Sequence, residues 1–266
     1  MQEFFNSNVV YQNKNGIEYI QFKRLLEYPE VTHCYTLRSG GMLNFPPIYK
    51  DEKMLKQSYQ RICDCLGLEA HKVMKPHQTH TDNIEVVNEV KALADVDGMI
   101  TKQKELVLLT TSADCTSLLF YDPVKKAIGD VHSGWRGTLQ AIGKKAVVKM
   151  IQEYDSKPED IICCICPCIK QCHFEVEEEV KELFAKEYAN LKNIDRIIQK
   201  GEIIEGKQKY YIDTTEINKQ LLKQVGLKEE NIIDSGICTM CHPEKFHSYR
   251  VDKEKSGRNA AIISIS

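Results

Sequence analysis

Residues 106–154 limit the fold more than any other stretch of this chain. Residues 106–111 form a run of apolar and β-favouring side chains. A second run at 118–121 ends in the turn pair Asp122-Pro123, and a third covers 127–132. Gly134-Trp135-Arg136-Gly137-Thr138 then opens a helix that the periodicity carries to about Tyr154. Three strands before one helix do not match the regular alternation of a doubly wound sheet. The pattern predicts an α+β architecture, a mixed α/β sandwich whose mixed β-sheets are flanked by helices.

The remaining pattern agrees. Strands are expected at 16–22, 31–37, 84–87, 98–101, 161–165, 210–212 and 260–265. Helices are expected at 51–66, stopped by Gly67, at 175–191, and from Asp213-Thr214-Thr215 to Gly226. The loop after Gly41 passes quickly through Asn44 to Pro46-Pro47. No repeat, low-complexity tract or long polar linker divides the chain, so residues 1–266 read as a single compact domain. With 42% hydrophobic and 28% charged residues, that length suffices for a substantial core.

Composition also excludes partners. A net charge of −2 gives no field that would draw nucleic acid or an acidic membrane. No stretch approaches the roughly 18 apolar residues of a membrane span. Met1-Gln2-Glu3-Phe4-Phe5-Asn6 lacks a basic, apolar secretory start, so a cytoplasmic protein is expected. Its 11 cysteines should then be reduced thiols, available as small core residues, metal ligands or nucleophiles. The chain carries no glycine-rich dinucleotide fingerprint and no phosphate loop.

Three segments place a soft or borderline metal ligand at a strand end beside small residues. They are Gln78-Thr79-His80, Ala113-Asp114-Cys115 and Val131-His132-Ser133-Gly134. Two imidazoles and one thiolate suit zinc, and three protein ligands leave the fourth position open, as catalytic sites do. Spacing alone does not select this set. Cys115 follows His80 by 35 positions, His132 follows Cys115 by 17, and no local metal motif matches.

Five blocks resemble the YfiH/YlmD-like family, also described as laccase-domain, polyphenol oxidase-like purine nucleoside phosphorylases. Thr36-Leu37-Arg38-Ser39-Gly40-Gly41 resembles the family's Thr-Arg-x-Gly-Gly block. Gln78-Thr79-His80 and Ala113-Asp114-Cys115 resemble its Gln-Val-His and Ala-Asp-Cys. Val131 through Thr138 resembles Val-His-Ala-Gly-Trp-Arg-Gly-Thr, the most specific of the five. Phe246-His247-Ser248-Tyr249-Arg250 with Gly257-Arg258 resembles the C-terminal Phe-x-Ser-x-Arg and Gly-Arg.

The resemblance implies one zinc ion held by His80, Cys115 and His132, with copper in its place as an alternative. It implies phosphorolysis of adenosine, inosine and S-methyl-5′-thioadenosine, and adenosine deaminase activity in the same site. Zinc with an open position brings the pKa of a bound water to about 7, which suits deamination. The expected partners are a small purine nucleoside and phosphate, and the chain is read as a monomer or homodimer.

Phosphorolysis needs positive charge for the phosphate. Arg38, Arg136, Arg250 and Arg258 all lie in matched blocks, and a guanidinium fork suits phosphate. Arg38 is the first choice, with a structural ion pair as its alternative. Asp114 is read as a general acid/base, or as the group that orients a ligand histidine. Ser133 and Trp135 are expected at the pocket, Trp135 either stacking on a base or packing in the core. His77 falls outside the matched block and is not counted as a ligand.

Departures from the family pattern leave other readings open. Cys166 and Lys170 stand where the family has glycines, in a segment (163–176) holding five cysteines and His173. Buried thiols explain it, as would a second metal site or a redox couple. Cys238-Thr239-Met240-Cys241-His242 superficially matches a haem attachment motif, with a structural turn as the default. Asp130 replaces an expected small residue. Two other functions remain: a polyphenol oxidase using copper, and a cysteine-type amidase or peptidoglycan-precursor editing hydrolase with Cys115 as nucleophile and His132 as base. A non-enzymatic redox sensor built on 163–172 is a third class.

Overall fold

The protein is described by a computed structural model covering residues 7–46 and 50–266. Met1–Asn6, on which the absence of a secretory start was read, and Pro47 lie outside the described residues.

Fifteen strands follow one another along the described chain. The first five are β1 (Val9–Lys14), β2 (Ile17–Phe22), β3 (Val31–Thr36), β4 (Val73–Met74) and β5 (Ile84–Val86). Next come β6 (Gly98–Thr101), β7 (Val107–Ser112), β8 (Thr116–Asp122), β9 (Ala127–Ser133) and β10 (Ile162–Ile165). The last are β11 (Glu175–Val176), β12 (Ile198–Ile204), β13 (Lys207–Ile212), β14 (Ile232–Asp234) and β15 (Asn259–Ile265). They build a six-stranded sheet in the order β1-β2-β3-β15-β7-β4 and another in the order β14-β10-β8-β9-β6-β5. A small third sheet has the order β11-β13-β12.

The two large sheets face each other. Ile20, Tyr35, Leu108 and Ile263 from the first interlock with Met99, Leu119, Tyr121 and Ile128 from the second. Helices close the outer faces. Glu52–Leu66 packs Leu55 and Ile62 onto Val107, Leu109 and Ile262 of the first sheet. Ile142–Tyr154 packs Ala146, Val147 and Met150 onto Phe120 and Val131 of the second. Each fully buried side chain of this size contributes about 1.5–3 kcal/mol. The result is the expected mixed α/β sandwich, formed as one compact domain. No described helix is long and apolar enough to cross a membrane.

The caps follow the sequence. Asp51 accepts from the Met54 amide at 2.8 Å to start the first long helix, and Gly67 ends it at φ 71°. Two helix expectations need correction. The segment expected as one helix from Gly134 breaks into Trp135–Leu139 and Ile142–Tyr154, because Ala141 turns left-handed at φ 58°. The helix expected over 175–191 begins only at Glu178, because Glu175–Val176 first pairs with β13. Asp130 points into the sandwich, where both carboxyl oxygens accept from Thr110, at 2.9 Å from its amide and 2.6 Å from its hydroxyl.

Both sheets contribute to one end of the sandwich through crossings of the chain. The segment after β4 leaves the edge of the first sheet and enters the second at β5. The three residues between β7 and β8 make the same crossing, with Asp114 at φ 84°. β9 ends beside β8, with Thr116 opposite Ser133 and Ser117 opposite His132.

Candidate metal centre

These two crossings and the end of β9 bring His80, Cys115 and His132 together. One potential ligand atom from each lies within 4.8 Å of the others. Cys115 Sγ is 3.8 Å from His80 Nε2, and the two imidazoles meet edge-on at 79°. His132 is buried, Cys115 half-buried and His80 exposed.

Asp97 holds the arrangement. Its carboxylate accepts the backbone amides of Thr79, His80 and Thr81 at 3.2, 3.1 and 2.7 Å, which fixes the loop that carries His80. The same carboxylate lies 2.8 Å from His132 Nδ1, leaving Nε2 to face the cluster. Burial opposes ionisation of Asp97, but His132 and the Thr81 contacts bring it down to about 2. Gln78 adds a second anchor, donating to the Thr111 carbonyl at 2.8 Å and accepting the Thr111 amide at 2.8 Å.

Cys115 is primed as a ligand or a nucleophile. Burial acts to raise its thiol, yet the charge and hydrogen bond of His132, joined by His80, bring it down to about 6. The floor of the cluster is Gly134. A Cβ there would lie 2.7 Å from His80 Cδ2, 3.3 Å from Cys115 Sγ and 3.4 Å from His132 Cε1. The donor set, its spacing and this cradle fit a zinc ion.

His80, Cys115 and His132 all line a cavity of about 770 Å³. Its wall includes Tyr59, Phe174 and Tyr249, with Lys75, Arg250 and Arg258 as its cations. Lys75 was missed by sequence reasoning. Burial and the nearby Arg258 push its ammonium down to about 8, so two positive groups share one wall.

The expected helpers divide. Arg38 does not line the cavity. It pairs with Asp252 at 3.2 Å and donates to the Pro243 carbonyl at 2.8 Å, the structural alternative. Arg136 is exposed and stacks 4.1 Å over the Trp135 ring. Arg250 lines the cavity while donating to the Glu175 carbonyl. Ser133 lines it too, 2.8 Å from the Thr138 hydroxyl. Trp135 lines it and also packs against the core around the third sheet. His77 lies on the cavity wall, outside the ligand cluster. Asp114 does not orient a histidine, a role that falls to Asp97. Asp114 accepts from the Thr239 hydroxyl at 2.7 Å and the Arg250 amide at 2.8 Å, tying the C-terminal loop to the site.

A two-sheet sandwich with one imidazole–thiolate–imidazole cluster at a cavity defines the class: a protein whose cavity is lined by three side chains that could hold a metal ion. Residues 33–266 match the model of the multi-copper polyphenol oxidoreductase laccase family, and the chain belongs to that family. It is 28% identical over 254 residues to the purine nucleoside phosphorylase YlmD of Bacillus subtilis, covering 89% of each chain. It is 30% identical over 249 residues to the purine nucleoside phosphorylase LACC1 of mouse, covering 88% of this chain and 55% of that one. It therefore spans about half the length of that mouse relative. An adenosine deaminase, RL5, from an unknown prokaryotic organism is 30% identical over 203 residues, 73% of this chain and 75% of that one. The crystal structure of Bacillus licheniformis YfiH superposes with a TM-score of 0.86 at 27% identity, over 96% of this chain and 99% of that one.

Proposed function

We propose that the cavity binds a purine nucleoside together with phosphate and cleaves the glycosidic bond by phosphorolysis, with His80, Cys115 and His132 holding one zinc ion. The observation that carries this is the shared wall. An open three-ligand centre and two cations, Lys75 and Arg258, with no carboxylate paired to either among the described residues, line the same cavity. The relatives named as purine nucleoside phosphorylases and as an adenosine deaminase support the choice of substrate.

In the reaction an oxygen of hydrogen phosphate bonds to ribose C1′ while the C1′–N9 bond breaks, and the proton of the hydrogen phosphate leaves with the purine, so that ribose 1-phosphate departs as a dianion. Lys75 and Arg258 hold the phosphate dianion. Tyr59, Phe174 and Tyr249 supply flat or apolar surface for the nucleoside, which also suits a 5′-methylthio group. Asp114 keeps Arg250 and the C-terminal loop against the cavity. When bound, zinc supplies Lewis acidity at the cavity wall. Adenosine, inosine and S-methyl-5′-thioadenosine are the proposed substrates, with adenosine deamination as a second activity.

One observation favours another reading. Cys115, His132 and Asp97 line up as a thiol, an imidazole and an orienting carboxylate, the arrangement a cysteine hydrolase would use. Stoichiometric zinc removes that possibility by occupying the sulfur. Copper oxidation is not favoured, since the described residues offer one three-ligand centre on this cavity rather than several.

Incubation of the zinc-loaded protein with inosine and phosphate tests the proposal. Hypoxanthine and ribose 1-phosphate should form in equal amounts. Their absence, or hypoxanthine release that ignores phosphate, would refute it. Lys75→Gln and Arg258→Gln should raise KM for phosphate by about tenfold each, the loss of one charge-assisted contact.

A further inference from the structure

We infer that the protein carries a second, closed metal site, in which Cys172, His173, Cys238 and Cys241 hold a zinc ion that staples two loops of the cavity wall. It uses none of the residues of the first centre and does not depend on the reaction proposed above.

The geometry points to a tetrahedron. One ligand atom from each of the four lies within 4.8 Å of the others. Cys172 Sγ and Cys241 Sγ are 3.9 Å apart. His173 Nδ1 is 3.2 Å from Cys172 Sγ, 3.5 Å from Cys241 Sγ and 3.7 Å from Cys238 Sγ. Zinc bonds of about 2.3 Å to sulfur and about 2.0 Å to nitrogen give tetrahedral edges of about 3.8 Å between sulfurs and about 3.5 Å between sulfur and nitrogen. A disulfide would need its sulfurs at about 2.05 Å.

The chain builds this place deliberately. β10 and β14 pair in parallel, with Cys163, Cys164 and Ile165 opposite Ile232, Ile233 and Asp234. The pairing continues to an isolated bridge between Cys168 and Cys238. Beyond it the two segments turn, one presenting Cys172 and His173, the other presenting Cys238 and Cys241 in a cysteine–two residues–cysteine turn of the spacing zinc favours. The Lys170 amide donates to Cys238 Sγ at 3.5 Å, the kind of support that metal-bound thiolates receive. Cys172 and Cys241 are exposed, an unusual place for idle thiols. By contrast Cys163, Cys164, Cys166 and Cys168 are buried, where burial holds their thiols protonated.

Three thiolates and one imidazole complete the coordination of zinc, so this ion has no position for substrate. Its effect is mechanical. One stapled loop carries Ile169 and Phe174 to the cavity, and the other leads through Thr239, bonded to Asp114, to Tyr249 and Arg250.

Metal counting on the whole protein, purified under reducing conditions and supplied with zinc, tests the inference. Cys241→Ser should lower the zinc content by one ion per chain, and Cys241→His should restore it. Cys115→Ser should remove a different ion and leave this one. Zinc content unchanged in Cys241→Ser, or a Cys172–Cys241 disulfide in the reduced wild-type protein, would overturn the site. Failure of the nucleoside reading would show instead in the ion lost with Cys115→Ser and in the products, so the two are read apart.

Discussion

Two clusters of sulfur and nitrogen ligands sit a short way apart in this molecule, and they are built to opposite ends. His80, Cys115 and His132 number three, stand where the chain crosses between sheets, and open on a cavity of about 770 Å³. Cys172, His173, Cys238 and Cys241 number four, stand on two turns, and do not line that cavity. The first is backed by Asp97 and cradled by Gly134. The second is tied together by a backbone amide and by strand pairing. Ligand count and surroundings thus separate the centre proposed to do chemistry from the one inferred to hold loops in place.

The comparison can be broken at several strengths. The largest expected effect is that of Gly134→Ala. Its new methyl would stand 2.7 Å from His80 Cδ2, so activity and the first metal should be lost together while the second ion stays bound. Activity and zinc counted on the same sample check this, and loss of both ions would show that the two sites are not independent. Next comes Asp97→Asn, which frees the His80 loop and the His132 ring. Removing such a partner costs about 10–100-fold in metal affinity or activity, measured by competition with a chelator. Asp114→Asn, at a side chain that bonds Thr239 and the Arg250 amide rather than a ligand atom, should leave that affinity unchanged.

A smaller effect is expected from the second cluster. Cys241→Ser should lower the melting temperature by several degrees, about 2–4 °C for each kcal/mol lost in a chain of this size. It should raise KM for the nucleoside more than it lowers kcat, because it loosens the wall rather than the centre.

The smallest test sets the pH range in which the comparison can be made. His33 is fully buried, accepts the Phe22 amide at Nε2, and burial brings its imidazole down to about 3. In the unfolded chain histidine titrates near 6.5. Between these values the unfolded state takes up a proton that the folded state refuses, so stability is full above about pH 6.5 and falls as pH drops towards 3. Chemical denaturation midpoints at pH 7 and pH 5 should show that loss, and His33→Gln, which keeps an acceptor, should reduce it.

Much of this was legible in the sequence. The strand runs at 106–111, 118–121 and 127–132 fell on β7, β8 and β9, and the uneven order of strands and helices indicated a mixed sandwich. The triad came from block resemblance, since 35 and 17 intervening steps carry no local signal. Asp97 escaped because it directly precedes the strand at Gly98 and belongs to none of the matched blocks. Its role appears only when three loop amides converge on it. Arg38 misled because a matched block does not say which way its side chain turns. The second cluster was half visible as a cysteine-rich segment. Its other half lies 65 or more residues away, joined through the three-residue strand β14, too short to leave a periodic trace.

Whether the first cluster is the reactive centre is settled most directly by products. Zinc-loaded wild-type protein and Cys115→Ser are given inosine with and without phosphate, and hypoxanthine and ribose 1-phosphate are quantified. The account predicts equimolar, phosphate-dependent products from the wild type and none from Cys115→Ser while its second ion remains bound. Equal turnover in Cys115→Ser, or no phosphorolysis by the fully metallated wild type, would contradict it.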